Sequence, residues 1–186
     1  KADGSPYRVF TPYYRRGCLA ASPPRQPLPV PTQLDLLKAS YGSVGIDGLE
    51  LLPKTGWDMM LEPHWQVGEI GATARLTTFV DSELSGYKIG RNYPAEPNVS
   101  RLSPHLHWGE VSPNTVWHAV KDRMEFSVAG HEDADHFLSE LGWREFSHSL
   151  LYYNPTLPVD NLQKKFDNFP WSNDLTRLSA WQKGRT

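Results

Sequence analysis

Glu140, Trp143 and Arg144 place a carboxylate, an indole and a guanidinium at spacings of three and four residues, which is one side of one helix. Spacing alone favours an ordinary Glu/Arg surface pair, worth a few tenths of a kcal/mol, beside a core tryptophan. A second group of polar residues is Val99-Ser100-Arg101-Leu102-Ser103, where two hydroxyls and a guanidinium precede a helix. That is the chemistry of an anion cradle, and also of plain helix capping. His105 and His107 lie two apart without a third ligand close by, so they read as structural histidines near a helix start, as do His136 and His148; no metal site is expected. Gly42, Gly45 and Gly48 repeat at steps of three, but no strand precedes them and no Lys-Ser follows, so a flexible loop is the simpler reading.

The element that must carry Glu140 and Trp143 runs from Phe137 to Tyr153. Leu138, Leu141, Phe146, Leu150 and Tyr153 recur near helical spacing and predict a helix of about 17 to 20 residues, stopped by Asn154-Pro155. Upstream, Gly68 to Leu84 predicts a helix with Ile70, Ala74, Phe79, Val80 and Leu84 on its apolar face. Tyr87 to Pro97 reads as an exposed loop. Ser103-Pro104 and Ser112-Pro113 each read as a capping serine followed by proline in the first helical position, the second opening a helix with Val116, Trp117, Val120 and Met124 on one face. Residues 158 to 173 read as an extended connection, and a last helix runs from about Asp174 to Lys183 behind Ser172 or Asn173.

Before residue 65 the pattern differs. Tyr7 to Thr11 predicts one short strand, which cannot be stable alone and implies a sheet upstream. Pro23, Pro24, Pro27, Pro29 and Pro31 make the next stretch an extended linker, with at most a short helical turn at Leu34 to Ala39. The formal net charge of -2 announces no global field for nucleic acid or membrane, so any DNA contact must come from a local patch. The single Cys18 excludes an internal disulfide, and no apolar run reaches membrane-spanning length. The expectation is a soluble, intracellular, cytoplasmic protein of mainly α content.

The strings S-R-L-S-P-H-L-H-W-G-E-V-S-P, F-L-S-E-L-G-W-R-E-F, F-x-x-F-P-W and A-W-Q-K-G-R-T together resemble the DNA photolyase and cryptochrome family, and Y-R-V-F-T-P-Y-Y-R-R resembles the end of that family's α/β antenna domain. Glu140 with Trp143 is more similar to class I cyclobutane pyrimidine dimer photolyases than to cryptochromes. The resemblance implies three parts: residues 1–17 as the remnant of the antenna domain, 18–64 as an interdomain linker, and 65–186 as the first half of the all-helical FAD-binding domain. It implies FAD held by Tyr87, Val99, Ser100, Arg101, Leu102, Ser103, Phe137 and Arg144. Val99 stands where threonine is frequent and Phe137 where tryptophan is often found. Glu140 and Trp143 would act at the lesion, with Arg91, Arg144 and nearby Lys88 toward DNA.

The implied activity is light-driven electron transfer from reduced FAD to a pyrimidine dimer, splitting its cyclobutane ring. The alternatives are a cryptochrome photoreceptor without repair and a helical interaction module without cofactor. The family continues past A-W-Q-K-G-R-T with further helices that complete the flavin pocket. The expected partners are therefore those helices and dimer-containing DNA, with no membrane; the 186 residues alone are expected neither to hold FAD well nor to repair DNA. The antenna chromophore is left undefined.

Overall fold

The computed structural model describes residues 1, 3–36, 42, 44–126 and 130–186. Their elements are helical, with no strand among the described residues: α1 (Phe10–Pro12), α2 (Gly68–Thr78), α3 (Tyr87–Gly90), α4 (Ser103–Trp108), α5 (Pro113–Phe126), α6 (His131–Tyr153) and α7 (Leu175–Gln182). No described helix is long and apolar enough to cross a membrane.

The expected strand at Tyr7–Thr11 is not formed. Val9 is extended, but Phe10 opens α1, which runs into a π-helical turn at Tyr13–Cys18. Proline does not interrupt this start, because a donor in the first helical turn has no partner within the helix. Phe10, Tyr13 and Tyr14 then fall at helical spacing, and all three meet α6 through Trp143, Phe146 or Gly142. Tertiary contact with α6 overrides the local β pattern.

The core is a cluster of Ala72, Leu76 and Phe79 from α2 and its extension, Leu84, Tyr87, Leu102, Val111, Val116 and Val120 from α5, and Ala134, Phe137, Leu138 and Leu141 from α6. Helix α2 presents a different stripe from the one expected: Ile70 and Ala74 face solvent. A π-helical turn at Phe79–Glu83, closed by the Leu84 amide on the Phe79 carbonyl at 2.8 Å, brings Leu84 onto the buried face. The loop expected from Tyr87 instead starts as α3, with Tyr87 buried.

Helix ends follow local chemistry. Ser112 accepts a bond from the Thr115 amide at 3.0 Å and so caps α5 as expected. Ser103 is instead the first residue of α4, with Leu102 before it and no side-chain cap. Asp174, rather than Ser172 or Asn173, caps α7 by accepting from Thr176 and Arg177 amides. Helix α6 begins six residues before Phe137 and stops at Asn154 as expected. The turn expected at Leu34–Ala39 falls partly outside the described residues. Residues 154–168 are mostly exposed turns with one 3-10 turn at Lys164–Phe166, and residues 169–174 follow as irregular chain, so only the last part of the expected connection lacks turns.

Candidate functional site

The first turn of α6 holds α3 in place. Asp133 accepts bonds from the Gly86 and Lys88 amides, each at 2.9 Å, and Lys88 pairs with Glu132. Asn98 adds a brace from the other side, donating to the carbonyls of Glu83 at 3.1 Å and Ser85 at 2.8 Å. A Cβ at Gly90 would collide with Asn98, so only glycine lets the two segments close. Neither Asp133 nor Asn98 is marked by spacing; both stand out only as short polar side chains beside turns.

This bracing carries Arg91 to Glu140, and the two form an ion pair with each side chain about one-third exposed (30% and 33%). The bond to Glu140 raises the Arg91 pKa above its ordinary value. The same guanidinium lies 5.4 Å from the Tyr87 ring centroid. Tyr87 in turn meets Phe137 edge-on at 5.3 Å and Phe79 at 5.8 Å, and burial pushes its phenol upward. The structure thus brings together Arg91, Tyr87, Phe137 and Glu140, with Phe137 and Tyr87 inside the core.

Trp143, one turn along α6, is 44% exposed. One face of its indole stacks on Phe10, with centroids 3.7 Å apart and planes 10° from parallel, and Phe146 meets it edge-on at 5.8 Å. Tyr14 packs behind, stacked on Phe10 at 5.5 Å. A Cβ at position 142 would sit 2.5 Å from the Tyr14 ring, so Gly142 is what lets the N-terminal segment reach α6. The result is a half-exposed flat ring with an aromatic backing.

Arg144 does not join this face. It pairs with Glu145 and lines a groove of about 920 Å³ with Tyr14, Pro23, Pro24 and Trp117, beneath the proline-rich segment. That segment is fixed to α5, since His118 lies 3.0 Å from the Pro24 carbonyl and Asn114 donates to the Arg25 carbonyl at 2.8 Å.

The 99–103 loop forms a second region. Leu102 is fully buried and anchors it, while the Ser100 hydroxyl accepts from the Leu102 amide at 3.4 Å. Arg101 has φ 51°, a left-handed conformation that costs a non-glycine residue about 1 kcal/mol or more. Its exposed side chain shares a cavity of about 240 Å³ with Arg75, Trp65 and His105. Arg75 pairs with Glu83, yet its Nε is buried without a partner among the described residues. Burial, and then the neighbouring Arg101 charge, lower the Arg75 pKa. Val99 is half-buried and Ser103 exposed.

His105 is buried, with Nδ1 2.5 Å from Glu110 Oε2, and Glu110 Oε1 accepts from the Gly68 amide at 2.9 Å. The hydrogen bond from His105, then that from Gly68, hold the Glu110 pKa below its usual value. His105 is thus a structural residue tying α4 to the start of α2. No group of three metal-ligating side chains occurs among the described residues.

Residues 137–186 match the family model described as the FAD binding domain of DNA photolyase. The chain is 39% identical to a deoxyribodipyrimidine photo-lyase of Agrobacterium fabrum, over 99% of this chain and 38% of that protein. It is 31% identical to the deoxyribodipyrimidine photo-lyase of Alkalihalophilus pseudofirmus, over 100% and 38%. Cryptochrome-1 of Arabidopsis thaliana matches at 30%, over 98% and 28%. A crystal structure of a bacterial class III photolyase from Agrobacterium tumefaciens superposes with a TM-score of 0.89 at 38% identity, covering 98% of this chain and 37% of that one. The chain spans less than two-fifths of the length of these relatives. That structure is of a class III photolyase, whereas Glu140 with Trp143 is the pairing that resembles class I.

Proposed function

We propose that the chain belongs to the DNA photolyase and cryptochrome family over the part of its relatives that it spans, and that the full-length protein is a deoxyribodipyrimidine photo-lyase that splits pyrimidine dimers in DNA under blue light. The single observation that carries this reading is Trp143, half-exposed and backed by Phe10, beside the Glu140 carboxylate on one helix. A dimer inside a duplex is out of reach of a cofactor and must be turned out of the stack; photolyases are among the enzymes that flip their target out of the duplex. The backed indole offers an apolar surface against which the two fused rings lie. Glu140, one turn away, accepts bonds from the polar edge of the lesion, and in its protonated form donates one.

FAD is the family's cofactor, and the 99–103 loop fits its diphosphate. The support is the adjacent pair of cations, Arg75 and Arg101, with an orphaned buried Nε on Arg75 and a strained Arg101 backbone. Arg101, Ser103 and the backbone of Val99, Ser100 and Leu102 would hold the phosphates, with Tyr87 and Phe137 as a buried aromatic floor. When bound, FAD supplies the light-driven electron for ring splitting and takes it back afterwards. The chain's own residues position the lesion and exclude water from it. Arg144, turned to Glu145 and the proline groove, is left out of this set.

A second reading, a blue-light photoreceptor without repair, is favoured only by the matches named cryptochrome. The test is to record the flavin absorption of the full-length protein and irradiate a thymine-dimer oligonucleotide with it under reducing conditions. Light-dependent return of intact thymines supports the photo-lyase reading; a flavin-containing protein that leaves the dimer intact overturns it in favour of the photoreceptor.

A further inference from the structure

The resemblance assigns Glu140 to the lesion and Arg91 to the DNA backbone, yet in this structure each is the other's partner. The pair bridges α3 and α6 across 49 residues of sequence, and its members are two-thirds buried. The carboxylate draws the Arg91 guanidinium toward α6 and offsets its charge, which weakens its grip on a phosphate, and the Glu140 oxygen that accepts from Arg91 is occupied by that bond. We infer that Arg91 and Glu140 form a latch that opens by exchange: a dimer entering against Trp143 takes Glu140 for its polar edge, and the released Arg91 takes a backbone phosphate beside the lesion. This rests on the photo-lyase reading of the α6 face.

The parts for such an exchange are present. Arg91 closes α3, a single turn whose anchors to α6 run through the Gly86 and Lys88 amides and the Lys88 side chain. The backbone of α3 therefore stays docked while the Arg91 side chain swings. The Tyr87 face, 5.4 Å away, supports the guanidinium in its resting position. Undamaged DNA supplies phosphates but no extruded bases to take Glu140, so it leaves the latch shut. Arg91 then acts as a positioning residue that couples recognition of the lesion to grip on the backbone.

The experiment measures binding in the dark by the full-length protein, on a thymine-dimer duplex and on the same duplex undamaged, as a function of salt. Each phosphate neutralised adds about 0.9 to the slope of log affinity against log salt. The latch predicts a slope steeper by about 0.9 on dimer DNA than on undamaged DNA. Equivalently, an extra loss of about threefold is expected between about 50 and about 200 mM salt. Glu140→Gln should give undamaged DNA the steeper slope, because Arg91 is then free. Arg91→Gln should give the shallow slope on both duplexes, and Arg91→Lys should keep the difference.

In Arg91→Gln/Glu140→Gln the steep slope on undamaged DNA should vanish; if it persists, simple removal of a negative charge explains it and the latch is wrong. Equal slopes for both duplexes in the wild type also overturn it. A wild type with no preference for dimer DNA at all would instead sink the photo-lyase reading beneath it.

Discussion

Replacing Phe10 by Ala should loosen the indole at the proposed lesion site without touching α6. Phe10 is half-buried, so about half the cost of deleting a fully buried phenylalanine is expected, about 2 kcal/mol of stability. About 1 kcal/mol of that is the stacked contact with Trp143, whose planes lie 10° from parallel at 3.7 Å. An indole without its backing must be ordered when a ligand arrives, at about 0.5 to 1.5 kcal/mol. Affinity for dimer DNA should therefore fall about two- to tenfold, while repair per bound dimer stays unchanged. The assay pairs a dark binding titration with acrylamide quenching of tryptophan fluorescence, the Trp143 share being taken as the difference from Trp143→Phe. Phe10→Leu, which keeps apolar bulk but no ring, should fall between. If Phe10→Ala leaves both quenching and dimer affinity at wild-type values, Phe10 does not position Trp143.

Gly142→Ala should destabilise by about 1 to 3 kcal/mol in urea unfolding, because its Cβ meets the Tyr14 ring at 2.5 Å and the N-terminal segment must retreat. Asp133→Ala leaves the Gly86 and Lys88 amides without their acceptor, at a cost of about 1 to 3 kcal/mol, and hydrogen exchange at those two amides should accelerate first. Glu110 has a folded-state pKa below its ordinary value, so its contribution is present above the unfolded pKa and lost as pH falls through the folded one. Glu110→Gln should therefore lower stability at neutral pH and flatten the acid limb of the stability profile below the usual glutamate range.

Helix α6 was legible because its stripe repeats over several turns and ends at Asn154-Pro155, where proline restricts the residue before it. Ser112 was legible for the same local reason, a hydroxyl just before the first turn of α5. Spacing failed where the partner comes from elsewhere in the chain. It offered Arg144 to Glu140, being one turn away, whereas the acceptor is taken by Arg91 from α3. It read Y-R-V-F-T as a strand, since nothing local reveals that Phe10 will stack on Trp143. The register of α2 was misplaced by the π-helical turn at Phe79–Glu83, which inserts a residue into the repeat. Tyr87 looked like a loop residue because α3 is a single turn, held by Asp133 rather than by its own propensity.

The most direct test of the α6 face as the lesion contact is repair of a thymine-dimer oligonucleotide by full-length Trp143→Ala and Glu140→Gln proteins that retain flavin absorption. Trp143→Ala is predicted to lose mainly dimer affinity and Glu140→Gln mainly repair per bound dimer. Wild-type affinity and repair in both variants would contradict the assignment of this face.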